Sequence, residues 1–94
     1  MNKEELYKLA IETYGNEAQI NQGVEEMAEL IQAINKFRRK PSILTLKGIE
    51  EEMADVEIML EQYRIIYATG MAVEWVKNIK LQRLADRLGV KYHD

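Results

Sequence analysis

Apolar residues recur along this chain at spacings of three and four, and no stretch shows sustained strand alternation. That period predicts helices throughout, interrupted only at glycine or proline. Asn2 is placed to cap a first helix over about residues 3–14, with Leu6, Ala10 and Ile11 turned inward. Gly15-Asn16 ends it in a left-handed cap, and Asn16 is also placed to cap the helix that follows. The second helix covers about residues 17–39, with Ile20, Val24, Met27, Ile31, Ile34 and Phe37 as its apolar seam. Gly23 inside it costs about 1 kcal/mol relative to alanine. Pro41 stops this helix behind the basic run Arg38-Arg39-Lys40, which suits a helix C-terminus. A third helix is predicted from Thr45 or Leu46 to about Thr69, closed by Gly70, with Ile49, Met53, Val56, Leu60, Tyr63 and Tyr67 inside. Ile58 and Ile65, with Met59 and Ile66 nearby, form a second apolar line on it. In so short a chain a second buried side predicts a partner subunit. The fourth helix runs from about Ala72 to Leu88, with Val73, Leu81, Leu84 and Leu88 inward and a basic stripe of Lys80, Arg83 and Arg87 beside them. Met27, Met53, Met59, the tyrosines and Trp75 read as packing residues. Tyr92-His93-Asp94 reads as a frayed tail with an inert histidine. The pattern as a whole predicts an all-α, four-helix chain forming one domain over residues 1–94.

Composition narrows the function. At 94 residues and 47% hydrophobic, the chain is long enough for a small core and short enough that oligomerisation is a common remedy for exposed surface. A net charge of −3 argues against a general nucleic-acid binder, so no DNA or RNA polymer is expected as partner. The absence of cysteine excludes disulfides and thiolate metal sites and fits a reducing, cytoplasmic setting. No apolar run approaches the length of a membrane span, and no membrane partner is expected.

The chemistry-bearing residues are acidic. Glu25-Glu26-Met27-Ala28-Glu29 places three carboxylates in five residues, and on a helix they share about a third of the circumference. Glu50-Glu51-Glu52-Met53-Ala54-Asp55 repeats the pattern on the third helix, with Glu52 and Asp55 at the edge of its seam. A single such triplet is most often a solvated face. The second motif on the neighbouring helix tips the balance, because a short connection makes the two helices antiparallel neighbours. Glu26 and Glu29 then face Glu52 and Asp55, and four carboxylates brought together require protons or a cation. All-oxygen ligands suit a hard divalent ion, Mg²⁺ or Mn²⁺, of the kind that serves phosphate substrates.

An EExxE followed after a break by an ExxD, in a four-helix chain, resembles the MazG-like branch of the all-α NTP pyrophosphohydrolase superfamily. The residues that carry the resemblance are Val24 to Ala33, Glu51 to Met59, and the late Lys80-x-x-Arg83-Leu84; it spans roughly residues 17–88. It implies a MazG-like bundle completed by dimerisation, or by pairing of dimers, with sites near the subunit interface. It implies Mg²⁺-dependent hydrolysis of a nucleoside triphosphate to a monophosphate and pyrophosphate, in a nucleotide-pool house-cleaning role. By motif position the metal ligands fall on Glu26, Glu29, Glu52 and Asp55, and Glu25 is the catalytic candidate that positions and deprotonates the attacking water. Lys80 and Arg83, with Asn78, are the candidate phosphate contacts; Gln19 and Gln22 are the candidates for contacting the base. Phosphoribosyl-ATP pyrophosphohydrolases share the acidic pattern, but here the second motif continues Val56-Glu57-Ile58-Met59-Leu60 rather than Leu-Leu-Tyr-His, which ranks that substrate second. From another class, the rival is a non-catalytic helical oligomerisation or adaptor module whose acids are a solvated face.

Overall fold

The computed structural model describes residues 1–93 and is built of four α-helices: α1 (Lys3–Tyr14), α2 (Asn16–Arg39), α3 (Ile43–Ile66) and α4 (Gly70–Leu88). No strand occurs among the described residues, and no helix is long and apolar enough to cross a membrane. α1 begins at a reciprocal cap: Glu5 N–H donates to Asn2 Oδ1 at 2.8 Å, and Asn2 N–H donates to Glu5 Oε1 at 3.3 Å. Gly15, at φ 93°, is the turn residue and Asn16 is already the first residue of α2, so Asn16 provides no cap. α3 starts two or three residues earlier than its periodicity suggests. Ser42 is the cause: Thr45 N–H donates to Ser42 Oγ and Ser42 N–H donates to Thr45 Oγ1, both at 3.0 Å. α3 also ends early, at Ile66, because Ala68 adopts a left-handed φ of 51°; Gly70 opens α4 instead of closing α3.

The antiparallel α2/α3 hairpin is the frame of the molecule, and its seam differs from the most apolar line of the sequence. The face of α2 that meets α3 is Gln19, Gly23, Glu26, Leu30, Ala33 and Phe37, all buried or half-buried. Val24 and Ile31, expected inside, are 57% and 61% exposed. On α3 the inward line is Thr45, Ile49, Glu52, Val56, Met59, Tyr63 and Ile66, while Met53, Leu60 and Tyr67 are exposed. Two contacts explain the choice. Gln19 Nε2 donates to Gln62 Oε1 at 2.7 Å, so two buried amides satisfy one another. Tyr63 O–H donates to the Ile20 carbonyl at 2.6 Å, and its ring lies against Gly23, where a Cβ would collide with the phenol. Gly23 is therefore a packing requirement and not merely a helix penalty.

α1 lies against α3, with Tyr7 buried and Lys3 Nζ 2.8 Å from Glu61. Leu6, Tyr7 and Ala10 face the Ile58 side of α3. α1 thus lies along that second apolar line of α3 but leaves Ile58 43% exposed; the expected inner residue Leu6 is more exposed than its neighbour Tyr7. α4 packs on α3 alone, near the turn where Arg64 pairs with Glu74 at 3.5 Å. Its line Leu81, Leu84 and Leu88 stays exposed, as does Trp75 at 68%. Gly89, at φ 70°, turns the chain back so that Tyr92 lies beside Lys77, Asn78 and Leu81; His93 is exposed and Asp94 lies outside the described residues. The chain is open in shape, with a radius of gyration of 16.5 Å where a compact domain of this length has about 12 Å.

Gly23→Ala is expected to destabilise the protein by about 1–3 kcal/mol in denaturant unfolding, against the gain of about 1 kcal/mol that helix propensity alone gives. A stabilised Gly23→Ala variant would mean that Tyr63 does not hold the hairpin.

Candidate metal centre

The antiparallel register that sets Gln19 opposite Gln62 also sets Glu26 opposite Asp55 and Glu29 opposite Glu52. One oxygen each from Glu26, Glu52 and Asp55 lies within 4.8 Å of the other two. Glu29 comes within hydrogen-bonding reach of Glu52, as Glu26 does of Asp55. Gln22 Nε2 donates to Glu26 Oε1 at 2.6 Å and holds that carboxylate in place. The other oxygen of Glu26, Oε2, is buried without a hydrogen-bond partner, and so is Glu52 Oε2.

Two buried carboxylate oxygens without donors are costly unless a proton or cation reaches them. The protonation of the site reflects this. Glu52 is pushed up to about 7 by loss of water around it, then by the proton shared with Glu29, then by the charges of Glu29, Glu26 and Asp55. Asp55 is raised by desolvation first and by Glu26 second. A hard divalent cation fits this donor set: it would satisfy the orphaned oxygens and remove the repulsion together. Glu26, Glu52 and Asp55 would hold it, with Glu29 adjoining.

The remaining sequence candidates fall in different places. Glu25 is exposed and stands outside the three-acid group. Gln19 is held in the buried amide pair, and exposed Gln22 donates to Glu26. Lys80, Arg83 and Asn78 lie on α4, which makes no contact with α2, and none of them lines the cleft next to the acids. That cleft, of about 660 Å³, is lined by Glu29 and Glu52 at one end and by Lys36, Lys40, Ser42 and Thr45 at the other, with Ala33 and Gly48 between. Lys36 and Lys40 escaped the sequence reading because basic residues at a helix C-terminus have a ready explanation in the helix dipole. The available signal was that Lys36 stands two turns from Glu29, on the same face of α2.

No family model matches the chain, and no curated protein or solved structure is significantly similar to it.

A group whose folded pKa is raised stabilises the fold below its unfolded value and loses that contribution as pH rises through the folded value. Metal-free protein is therefore expected to lose thermal stability between about pH 4.5 and pH 7, the ordinary and raised values of Glu52. Mg²⁺ should offset the loss increasingly as pH rises, because binding requires the ionised acids. Glu52→Gln should flatten the metal-free profile. Differential scanning fluorimetry across pH, with Mg²⁺ or chelator, reads all three.

Proposed function

We propose that the protein is a divalent-cation-dependent nucleoside triphosphate pyrophosphohydrolase, releasing a nucleoside monophosphate and pyrophosphate. The observation that carries the reading is the convergence of Glu26, Glu52 and Asp55, with two buried carboxylate oxygens lacking partners, beside an open cleft. The motif spacing and its resemblance to MazG-like enzymes supply the reaction class.

When bound, Mg²⁺ supplies Lewis acidity toward phosphoryl oxygen and lowers the pKa of coordinated water. The chain's residues do the rest. Glu26, Glu52 and Asp55 fix the position of the charge, and Gln22 fixes Glu26. Glu29 or Glu25 accepts the proton of the water that attacks the α-phosphorus; the bond from that phosphorus to the bridging oxygen breaks, and pyrophosphate leaves. Such transfer asks mainly for position and countercharge. Within one chain Lys80 and Arg83 stay away from the acids, because α4 diverges from the hairpin after the Arg64–Glu74 pair. A second copy, seated on exposed Val24, Ile31, Met53 and Leu60, would give those apolar side chains a burial site.

Pyrophosphate release from a panel of ribo- and deoxyribonucleoside triphosphates and phosphoribosyl-ATP tests the reading. Release should require Mg²⁺, vanish with chelator, and fall by roughly a hundredfold or more in Glu29→Gln and Asp55→Asn. If no panel member is hydrolysed by folded protein and Mg²⁺ gives no thermal shift, the pyrophosphohydrolase reading falls and the adaptor reading takes over. Sedimentation equilibrium should give twice the chain mass, with a thermal midpoint that falls on dilution; a monomer at all concentrations would remove the second copy from the proposal.

A further inference from the structure

Between Glu29 and Glu50 the sequence has five cations, Lys36, Arg38, Arg39, Lys40 and Lys47, and no acid. In the fold this segment is the closed end of the α2/α3 hairpin, immediately beyond the acids. Two of the five, Lys36 and Lys40, line the cleft. Among the described residues neither forms an ion pair, whereas Lys3, Lys8, Arg64 and Lys77 all do. Lys36 follows Glu29 by two helical turns, about 10.5 Å along α2, and side chains lean toward the helix N-terminus, which for Lys36 is toward Glu29. Facing it on α3, one turn from Glu52, is Gly48. A Cβ there would meet no protein atom within 4 Å. The missing side chain leaves the cleft open between the acids and the lysines. Ser42 and Thr45 add hydroxyls at the far end.

We propose that this cleft is an oligophosphate site, in which Lys36 and Lys40 bind the terminal two phosphates of the nucleotide, those that leave as pyrophosphate. The assignment rests on the pyrophosphohydrolase reading and adds to it the orientation of the substrate: terminal phosphates toward the closed end of the hairpin, nucleoside toward the open end. The charge layout favours a short anion over a polymer. A nucleic acid lying along the basic end would have to run past Glu25, Glu29, Glu51 and Glu52, whereas a chain of two or three phosphates fits between an ion held by the acids and the lysine ammonium groups.

The test is titration calorimetry of the full chain with inorganic pyrophosphate in Mg²⁺, beside a Mg²⁺ thermal shift and steady-state turnover. The Lys36→Gln/Lys40→Gln double variant should weaken pyrophosphate binding by roughly tenfold or more and raise KM, with the Mg²⁺ shift preserved. Arg38→Gln/Arg39→Gln removes the same charge from residues that do not line the cleft and should change binding by no more than about threefold. Gly48→Leu fills the cleft without touching either lysine; it should fold at least as stably as the parent and lose pyrophosphate binding. Equal losses in the lysine and arginine pairs would reduce the effect to bulk charge and overturn the proposal. Unchanged binding in the lysine pair, with turnover intact, would overturn it while leaving the pyrophosphohydrolase reading in place. Absence of both a Mg²⁺ shift and pyrophosphate binding in the parent protein would remove both.

Discussion

Like charges pressed together across the α2/α3 seam are the constraint to which the rest of the molecule answers. A helical hairpin ordinarily fills such a seam with apolar side chains. Here Glu26 and Glu52 sit in it with Asp55 and Glu29 exposed at its edge, and one oxygen each of Glu26 and Glu52 is buried with no donor. The levels of the seam on one side compensate. The Gln19–Gln62 amide pair and the Tyr63 ring on Gly23 tie the open end of the hairpin, and Val56 and Met59 are buried between these ties and the acids. At the other end the Ser42–Thr45 cap sets where α3 begins. The acids are thus held close by structure that gains nothing from their closeness, an arrangement common where a site is built for a charged ligand.

Much of this was legible in the sequence, and the part that was not has a physical cause. Helix number and most boundaries follow from the three-four period and from Asn2, Gly15, Pro41 and Gly89. The pairing of the two acidic motifs follows from their spacing and a short connection. The inner face of α2 was misread because hydrophobicity marks every face that is buried by anything. Val24 and Ile31 are apolar yet exposed in the single chain, while the face that meets α3 is built of a glutamine, a glycine and a glutamate together with Leu30, Ala33 and Phe37. What decides that face is complementarity: an amide against an amide, and a phenol against a missing side chain. Neither has a signature in one helix taken alone, although Gly23 in mid-helix was the one visible anomaly. The place of α1 was hidden in a similar way, since Ile58 and Ile65 mark an apolar line on α3 without saying which element lies along it.

Charge along the hairpin is segregated to an unusual degree. One stretch carries the acids, the closed end carries only cations, and the cleft joins the two. Segregation of this kind raises the self-energy of each cluster and is reduced by a ligand that spans both signs, such as a cation with a phosphate chain. The unequal burial of the molecule fits the same picture: α4 hangs from α3 by its first turns, and the apolar residues that would ordinarily draw it inward remain at the surface.

The inward positions of α2 and α3 advance in alternating steps of four and three, from Gln19 to Phe37 and from Thr45 to Ile66. That is the heptad rhythm of a left-handed supercoil, kept by only two helices over three repeats. In such a coil the phase of every side chain is fixed by its distance from a reference contact, and the Gly23–Tyr63 contact is that reference. An insertion of one residue between Gly23 and Glu26 would rotate Glu26 away from its facing acids by about 100°, whereas an insertion of seven would return it to the same face roughly 10.5 Å further along. The position of the acidic centre on the hairpin is therefore quantised: it can be moved only in whole heptads, and only if both helices are lengthened together.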